Sequence, residues 1–385
     1  MEKTIVKKLA SQIRGVSYKP GDLHGSLDSE SVILLRANNI DDGKINFDDV
    51  VYVDKSKVSK EQYLRIGDVL ICASSGSKQL VGKAASVDFD TPCTFGAFCK
   101  VIRPIGDVAD YLGTYFQSSV YRRKIAELAI GANINNIRNE HIDNLELPKY
   151  NPETARKTVK IVGSVQRIID NRKKELIKLD ELIKARYVEL FGDVKETCTV
   201  GDYIKALIAG KSLAGEAECK NKVLKTGAAS FDFFDATQVK NLPLDYEPQE
   251  EHLVNKGDII ISRMNTAELT GAAAYVWDVA PRVYLPDRLW KAVLHEECNP
   301  IFVWQMLIHP SAKEQIRHEC SGTSGSMKNI SKPGMLAIKV KKVPVELQDE
   351  FADFVKQVDK SKVVVQKALA ETQVLFDSLL QEYFG

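Results

Sequence analysis

With 385 residues the chain is long enough for two or three domains, and a content of 44% apolar and 27% charged residues reads as soluble and globular. Its 53 Lys and Arg against 52 Asp and Glu leave a net charge of +1, which excludes a whole-molecule electrostatic argument for nucleic acid, so any anion-binding surface has to be a local patch. The seven cysteines (Cys72, Cys93, Cys99, Cys198, Cys219, Cys298 and Cys320) form no C-x-x-C pair and read as reduced thiols of a cytoplasmic protein, and no apolar signal-like or membrane-spanning run is present, so no membrane contact is expected.

Residues 1–150 read as a first globular unit. Ser31 to Arg36 is strand-like and is followed by the polar turns Asn38-Asn39 and Asp41-Asp42-Gly43. Val50 to Val53 is strand-like again. Gly67-Asp68 turns the chain into the apolar run Val69 to Cys72. A polar loop from Ala73 to Gln79 leads to Gly82-Lys83-Ala84-Ala85. Phe95 to Ile102 reads as one buried strand, Val108 to Ile130 has helical periodicity, and Gly131 to Asn139 is an amide-rich loop.

Residues 151–192 read as a single long helix. Val162, Val165, Ile169, Leu176, Leu179, Ile183 and Leu190 recur at spacings of three and four, with Arg172 and Arg186 on the same stripe. That is the a/d seam of a helix that buries one narrow face against another helix. Pro152 stands where a helix start tolerates proline, and Gly192 follows the last turn. At about 1.5 Å per residue the rod is roughly 60 Å long.

Residues 193–345 repeat the first plan. Gly257-Asp258 precedes Ile259 to Ser262 as Gly67-Asp68 precedes Val69 to Cys72, and Gly271 to Ala274 takes the place of Gly82 to Ala85. Trp304 to Cys320 occupies the place of the earlier helix, and Asn329-Ile330 that of Asn136-Ile137. Residues 346–385 form a second long helix with a seam of Phe351, Val355, Val358, Lys362, Val365, Leu369, Thr372, Phe376, Leu379 and Tyr383. The first long helix carries ten basic and six acidic residues, the second four and eight. Opposite charge on two seamed helices favours their association. The expected class is α+β: two similar globular domains separated by two long helices that form an antiparallel coiled coil, an internal repeat with a pseudo-twofold.

Catalytic patterns fail one after another. Asn299-Pro300-Ile301-Phe302 lacks the second proline of the Asn-Pro-Pro-Tyr/Phe run of amino methyltransferases, and no glycine-rich cofactor loop accompanies it. Gly76 to Ala84 reads G-x5-G-K-A, one residue too long between the glycines for a phosphate-cradling loop and without the Ser or Thr that holds magnesium. None of the six histidines stands at ligand spacing from another His or Cys. No catalytic residue, metal site or cofactor site is expected in this chain.

What remains is polar loops at equivalent places of both units. In the first they offer Ser74, Ser75, Ser77, Lys78 and Gln79, then Asn133, Asn135, Asn136 and Arg138. In the second they offer Arg263, Asn265 and Thr266, then Thr323, Ser324, Ser326, Lys328 and Asn329. Asn and Gln bond adenine bidentately, Arg bonds guanine, and Ser, Thr and Lys hold phosphates, so these residues are the candidate DNA contacts. Taken singly, each is also what an ordinary solvated loop contains.

These features together resemble the specificity subunit of a Type I restriction-modification system. The seamed helices ending Leu190-Phe191-Gly192 and Tyr383-Phe384-Gly385, the run Phe351 to Lys362, Leu34 to Ile40 and the Gly-Asp-strand-loop-Gly plan of both units carry the resemblance. It implies that residues 1–150 and 193–345 are target recognition domains, each reading one half of a split site in double-stranded DNA. It implies that the helices of 151–192 and 346–385 set the spacer and dock two copies of a modification subunit, which carries S-adenosylmethionine. A restriction and translocase subunit using ATP and Mg joins them. Two other readings are a coiled-coil adaptor for proteins and a stand-alone DNA methyltransferase or nuclease.

Overall fold

The computed structural model describes residues 2–77, 79–130, 136–149, 151–321 and 327–385. The chain divides into two compact units, Met1–Lys174 with Gln366–Gly385, and Glu175–Val365.

In the first unit a four-stranded antiparallel sheet runs in the order Ala10–Arg14, Cys99–Pro104, Val69–Cys72, Ala84–Ser86. The strand Val69–Cys72 is buried at every position. Its side chains alternate between faces, as the pleat requires. Val69 and Ile71 enter one core with Tyr111, Leu112 and Tyr115, while Leu70 and Cys72 enter another with Leu35, Phe95 and Val101. The first core is roofed by α1 (Ala109–Gln117) and α2 (Ser119–Ile130). Beyond the second lies a mixed sheet in the order Cys93–Phe95, Ser31–Leu35, Val51–Asp54, Leu23–His24. A short helix α3 (Asn139–Asp143) follows, and Lys3–Ile5 pairs with Glu146–Pro148 before α4 (Pro152–Phe191) begins.

Two expectations need correction here. The single helix expected over Val108 to Ile130 is broken at Ser118, whose hydroxyl donates to the Tyr115 carbonyl and accepts from the Tyr121 N–H. Ser and Thr hydroxyls compete with the helix ladder in this way. The strand expected over Phe95 to Ile102 is two strands with a turn at 96–98, closed by Cys99 N–H donating to the Gly96 carbonyl at 2.8 Å. Phe98 at its tip is 71% exposed.

The second unit repeats the central sheet strand for strand: Ile204–Ala209, Leu289–Leu294, Ile259–Ser262, Ala273–Tyr275. Ile259 and Ile261 face the helices, and Ile260 faces the core of Leu224, Ala228 and Val283. The helix expected over Trp304 to Cys320 starts earlier and is also divided, into α5 (Pro300–Ile308) and α6 (Pro310–Glu319). Pro310 cannot continue the ladder of α5 but suits the first turn of α6. Asn299 turns out to be the N-cap of α5, its Oδ1 accepting from the Ile301 and Phe302 N–H groups. That capping role accounts for the Asn-Pro pair without any cofactor. A short α7 (Lys332–Ala337) precedes the strand Lys339–Lys341 and the final helix α8 (Val345–Phe384).

The same glycine closes the central sheet in both units. Gly82 and Gly271 have φ of +81° and +78°, and each N–H donates to the carbonyl of the last residue of the buried strand, Cys72 or Ser262. A Cβ added to Gly82 would lie 2.7 Å from Ile125 Cγ2, and one on Gly271 2.2 Å from Ile316 Cγ2. Only glycine fits this conformation and this close approach.

Both long helices contribute to both units. In the first, Val162, Val165 and Ile169 of α4 share a core with Phe376, Leu380 and Phe384 of α8. In the second, Ile183, Tyr187 and Phe191 share one with Phe351, Val355 and Val358. There Asp180 pairs with Lys362 at 2.6 Å and Arg186 with Glu350 at 2.7 Å, so the number on α4 rises as that on α8 falls and the pairing is antiparallel. The seam departs from the expected heptad at the helix ends. Tyr187 and Phe191 are buried where Leu190 is only half-buried, and Leu380 and Phe384 are buried where Leu379 and Tyr383 are not. A straight helix of 3.6 residues per turn drifts off a 3.5-residue repeat, and a step of four at the end turns the seam onto the globular part. Phe191 meets Phe302 and Phe351; Phe384 meets Tyr111 and Tyr115.

Candidate nucleic-acid interface

The polar loops of the first unit are tied together by backbone bonds. The N–H groups of Ala73 and Ser74 both donate to the Phe98 carbonyl, at 2.9 and 3.0 Å, and the Ile137 N–H donates to the Ala73 carbonyl at 2.7 Å. Ser74 and Asn136 form an isolated antiparallel bridge. Arg122 of α2 holds the same loop from below, its guanidinium donating to the carbonyls of Gln79 and Val81. Ser75 accepts from the Ser77 N–H at 3.2 Å, while Ser77 and Gln79 are exposed. Asn136 is exposed, and Arg138 is exposed and paired with Glu140 at 3.3 Å. Lys78, Asn133, Asn135, Thr323, Ser324 and Ser326 lie outside the described residues.

Beside this bridge lies a cleft of about 430 Å³ whose lining includes Gln12, Arg14, Lys100, Asn136, Arg138 and Asn139. Arg14 and Lys100 sit directly opposite each other across two antiparallel strands. The strand pairing places Arg14 and Lys100, and the loop adds Arg138, on one concavity of a chain whose net charge is only +1. Burial pushes the Lys100 ammonium down from its usual range, nearby Asp143 opposes that, and Arg14 adds to it. A cation partly withdrawn from water beside another cation gains from an anion such as a phosphate. Gln12 fixes the floor of the cleft, its Nε2 donating to the Asn139 carbonyl and to Asp143 Oδ1. Gln12, Arg14, Lys100 and Asn139 are absent from the loop residues read off the sequence. For Gln12, Arg14 and Lys100 the signal is a register of two strands, which a linear reading does not contain; Asn139 closes the amide-rich loop at the start of α3.

The second unit repeats the frame with different side chains. The Arg263 N–H donates to the Arg288 carbonyl and the Ile330 N–H to the Arg263 carbonyl, both at 3.1 Å. Met264-Asn265 pairs with Lys328-Asn329 as a two-stranded ladder. The positions of Arg14 and Lys100 are taken by Ala209 and Trp290, again opposite each other. Here the cation comes from the loop: the Arg263 guanidinium lies 5.6 Å from the centre of the Trp290 ring, a cation–π placement. Asn265 is engaged within the unit, its amide donating to Ser230 and Ser262 and its oxygen accepting from the Thr266 N–H. Asn329 keeps a buried Oδ1 that accepts no hydrogen bond among the described residues. Thr266 is exposed, and Lys328 lines a second hollow with Glu268, Arg317 and Cys320.

Among the described residues no group of three His, Cys, Asp or Glu side chains is placed to hold a metal. Among the same residues no helix is long and apolar enough to cross a membrane. All seven cysteines are free, including Cys72 and Cys99, which face each other across neighbouring strands. Burial pushes the Cys99 and Cys93 thiols up to about 12, so neither supplies a thiolate nucleophile near neutrality.

Comparison with known proteins agrees with this architecture. No family model matches the chain. It is 28% identical to the Type I restriction enzyme EcoKI specificity subunit of Escherichia coli K12, over 98% of this chain and 87% of that protein. It is 30% identical to the StySPI specificity subunit of Salmonella potsdam over 69% of this chain and 62% of that one. Among solved structures, the S subunit of a Type I restriction-modification system from M. genitalium matches all of this chain with a TM-score of 0.53 at 15% identity, covering 96% of its own length. A chain from a structural study of the assembly and conformational transition of a type I system matches 99% of this chain and 97% of its own, with a TM-score of 0.50 at 13% identity.

Proposed function

The chain belongs to the specificity subunits of Type I restriction-modification systems, and from that premise we propose that each globular part is a target recognition domain reading one half of a split site in double-stranded DNA. Residues 1–150 and 193–345 are the two readers, and the helical stretches 151–192 and 346–385 set the spacer between the half-sites and dock two copies of the modification subunit. Half-sites about one DNA turn apart, roughly 34 Å, are then read from one face of the duplex. S-adenosylmethionine belongs to the modification subunit, and ATP and Mg to a restriction and translocase subunit that joins the assembly. This chain holds no cofactor, contributes no catalytic group, and works in the cytoplasm.

The observation that carries the reading is the repeated loop frame. Two polar loops and a turn are locked by the same backbone bonds in both units, while the side chains on the frame differ. A common scaffold with divergent surface residues is what two readers of different half-sites require. In the first unit the Arg14, Lys100 and Arg138 cleft supplies the local positive patch that a net charge of +1 does not. With so few cations, much of the phosphate contact comes from the partner subunits.

Co-expression with the neighbouring methyltransferase chain tests this. The expected result is a stable complex that transfers methyl groups to adenine only when both chains are present. Methyl transfer by the purified chain alone, or a lone chain that captures no methyltransferase, would sink it.

A further inference from the structure

We infer that Phe98 and Arg288 are equivalent base-reading side chains of the two units, Phe98 meeting a thymine methyl and Arg288 the O6/N7 edge of guanine. The inference rests on the reading that each unit binds a DNA half-site, and it names which side chain does part of the discrimination.

The equivalence follows from hydrogen bonds. Ala73 donates to the carbonyl of Phe98, and Arg263 donates to the carbonyl of Arg288. Ala73 accepts from Ile137, and Arg263 accepts from Ile330. The residue after Phe98, Cys99, pairs with Cys72 at the end of the buried strand; the residue after Arg288, Leu289, pairs with Ser262 at the end of the corresponding strand. Three matched backbone relations thus put Phe98 and Arg288 at one place of a shared frame. That place is bonded to the first candidate loop, which in turn is bonded to the second.

The side chains there are opposite in kind and both unspent. Phe98 is 71% exposed and stacks on no other ring among the described residues. An apolar ring held out by a tight, hydrogen-bonded turn has no role in the core. Arg288 is exposed and makes no side-chain hydrogen bond or ion pair among the described residues. Its neighbour Asp287 is the nearest carboxylate in sequence, and Ser212 holds it, donating to Asp287 Oδ1 and accepting from the Asp287 N–H. The guanidinium is therefore left available rather than neutralised. In the major groove the thymine methyl is the apolar mark and guanine the paired acceptor, and Arg is the commonest reader of the latter.

The flanking groups suit this placement. Arg14 and Lys100 line the cleft beside Ala97, next to Phe98, where they can hold phosphates while the ring reaches a base. In the second unit Arg263 is turned back onto Trp290, whereas Arg288 stays exposed.

The test uses the full chain assembled with its methyltransferase partner, on a library of DNA sites, for Arg288→Ala, Arg288→Gln and Phe98→Ala. Arg288→Ala is expected to relax one guanine position in one half-site by about 10- to 100-fold and leave the other half-site unchanged. Arg288→Gln is expected to move that position toward adenine, because Gln bonds adenine bidentately. Phe98→Ala should relax a thymine position in the other half-site. Thermal unfolding of all three should match the parent, since both side chains are exposed. An unchanged motif in the variants overturns the inference, as does a uniform loss across all sequences with a reduced salt slope, which marks a phosphate contact. A parent complex with no split motif would overturn the proposed function itself, and so separates the two failures.

Discussion

Replacing Phe191 by alanine removes the ring on which the end of α4 is fastened. Phe191 is fully buried, and its ring centre lies 4.9 Å from Tyr187, 5.3 Å from Phe302 and 5.4 Å from Phe351. Losing the buried apolar area costs about 2–3 kcal/mol, and the cavity left among three rings raises the total to about 3–5 kcal/mol. For a unit of this size that lowers its melting transition by roughly 10 °C. Phe384→Ala should do the same to the first unit, since Phe384 packs on Tyr111 at 5.2 Å and Tyr115 at 5.7 Å. Leu190→Ala, one residue off the buried line, should cost only about 1 kcal/mol because Leu190 is half-buried. Differential scanning calorimetry of the three variants separates the cases. If Leu190→Ala costs as much as Phe191→Ala, the seam runs straight to the helix end and the account of its closing step is wrong.

Gly271→Ala should destabilise the second unit by about 3 kcal/mol or more, because a Cβ at φ +78° meets Ile316 Cγ2 at 2.2 Å; Ile316→Ala in the same chain should recover part of the loss in thermal melts. Asp68→Ala should cost about 3–5 kcal/mol by urea unfolding, since it leaves Arg103 only the Glu61 and Tyr63 carbonyls in place of a carboxylate held at 2.7 and 2.9 Å with little exposure of either side chain. Asp359 on α8 has its carboxyl pushed up by burial, with Lys362 opposing. A raised native value means the fold favours the protonated acid, so its stability contribution is present below 3.8 and is lost as pH rises through the native value. Asp359→Asn should therefore raise the melting point near neutrality, with the gain disappearing as the acid range is reached; a gain that persists at pH 3 would contradict this.

Much of the fold was legible because it is periodic. The three-and-four spacing of Val162, Val165 and Ile169, and of Phe351, Val355 and Val358, survives as burial in the structure. The repeat was legible because Gly67-Asp68 and Gly257-Asp258 mark the same turn, and all four glycines and aspartates keep that place. What could not be read was fixed by tertiary partners. Nothing local distinguishes Phe191 from Leu190 as the buried residue; Phe302 and Phe351 decide it. The turn that exposes Phe98 hides inside the run Phe95 to Ile102, whose composition suits an unbroken strand. The candidate interface shows the same division. The loop residues Ser74, Asn136 and Arg263 lie on the shared frame, while Arg14, Lys100 and Arg288 join it only through strand register and a backbone bond. Asn299 opens a run that falls short of the methyltransferase pattern in the sequence, and in the structure it is a helix cap.

Reading of a split site by two domains is tested by a methylation map of DNA from cells that express this chain with its methyltransferase partner and lack other adenine methylation. Methyl-adenine is expected in a two-part motif with a fixed, unread spacer, lost when this chain is removed. Methylation at a continuous motif, or a map that does not change when this chain is omitted, would contradict it.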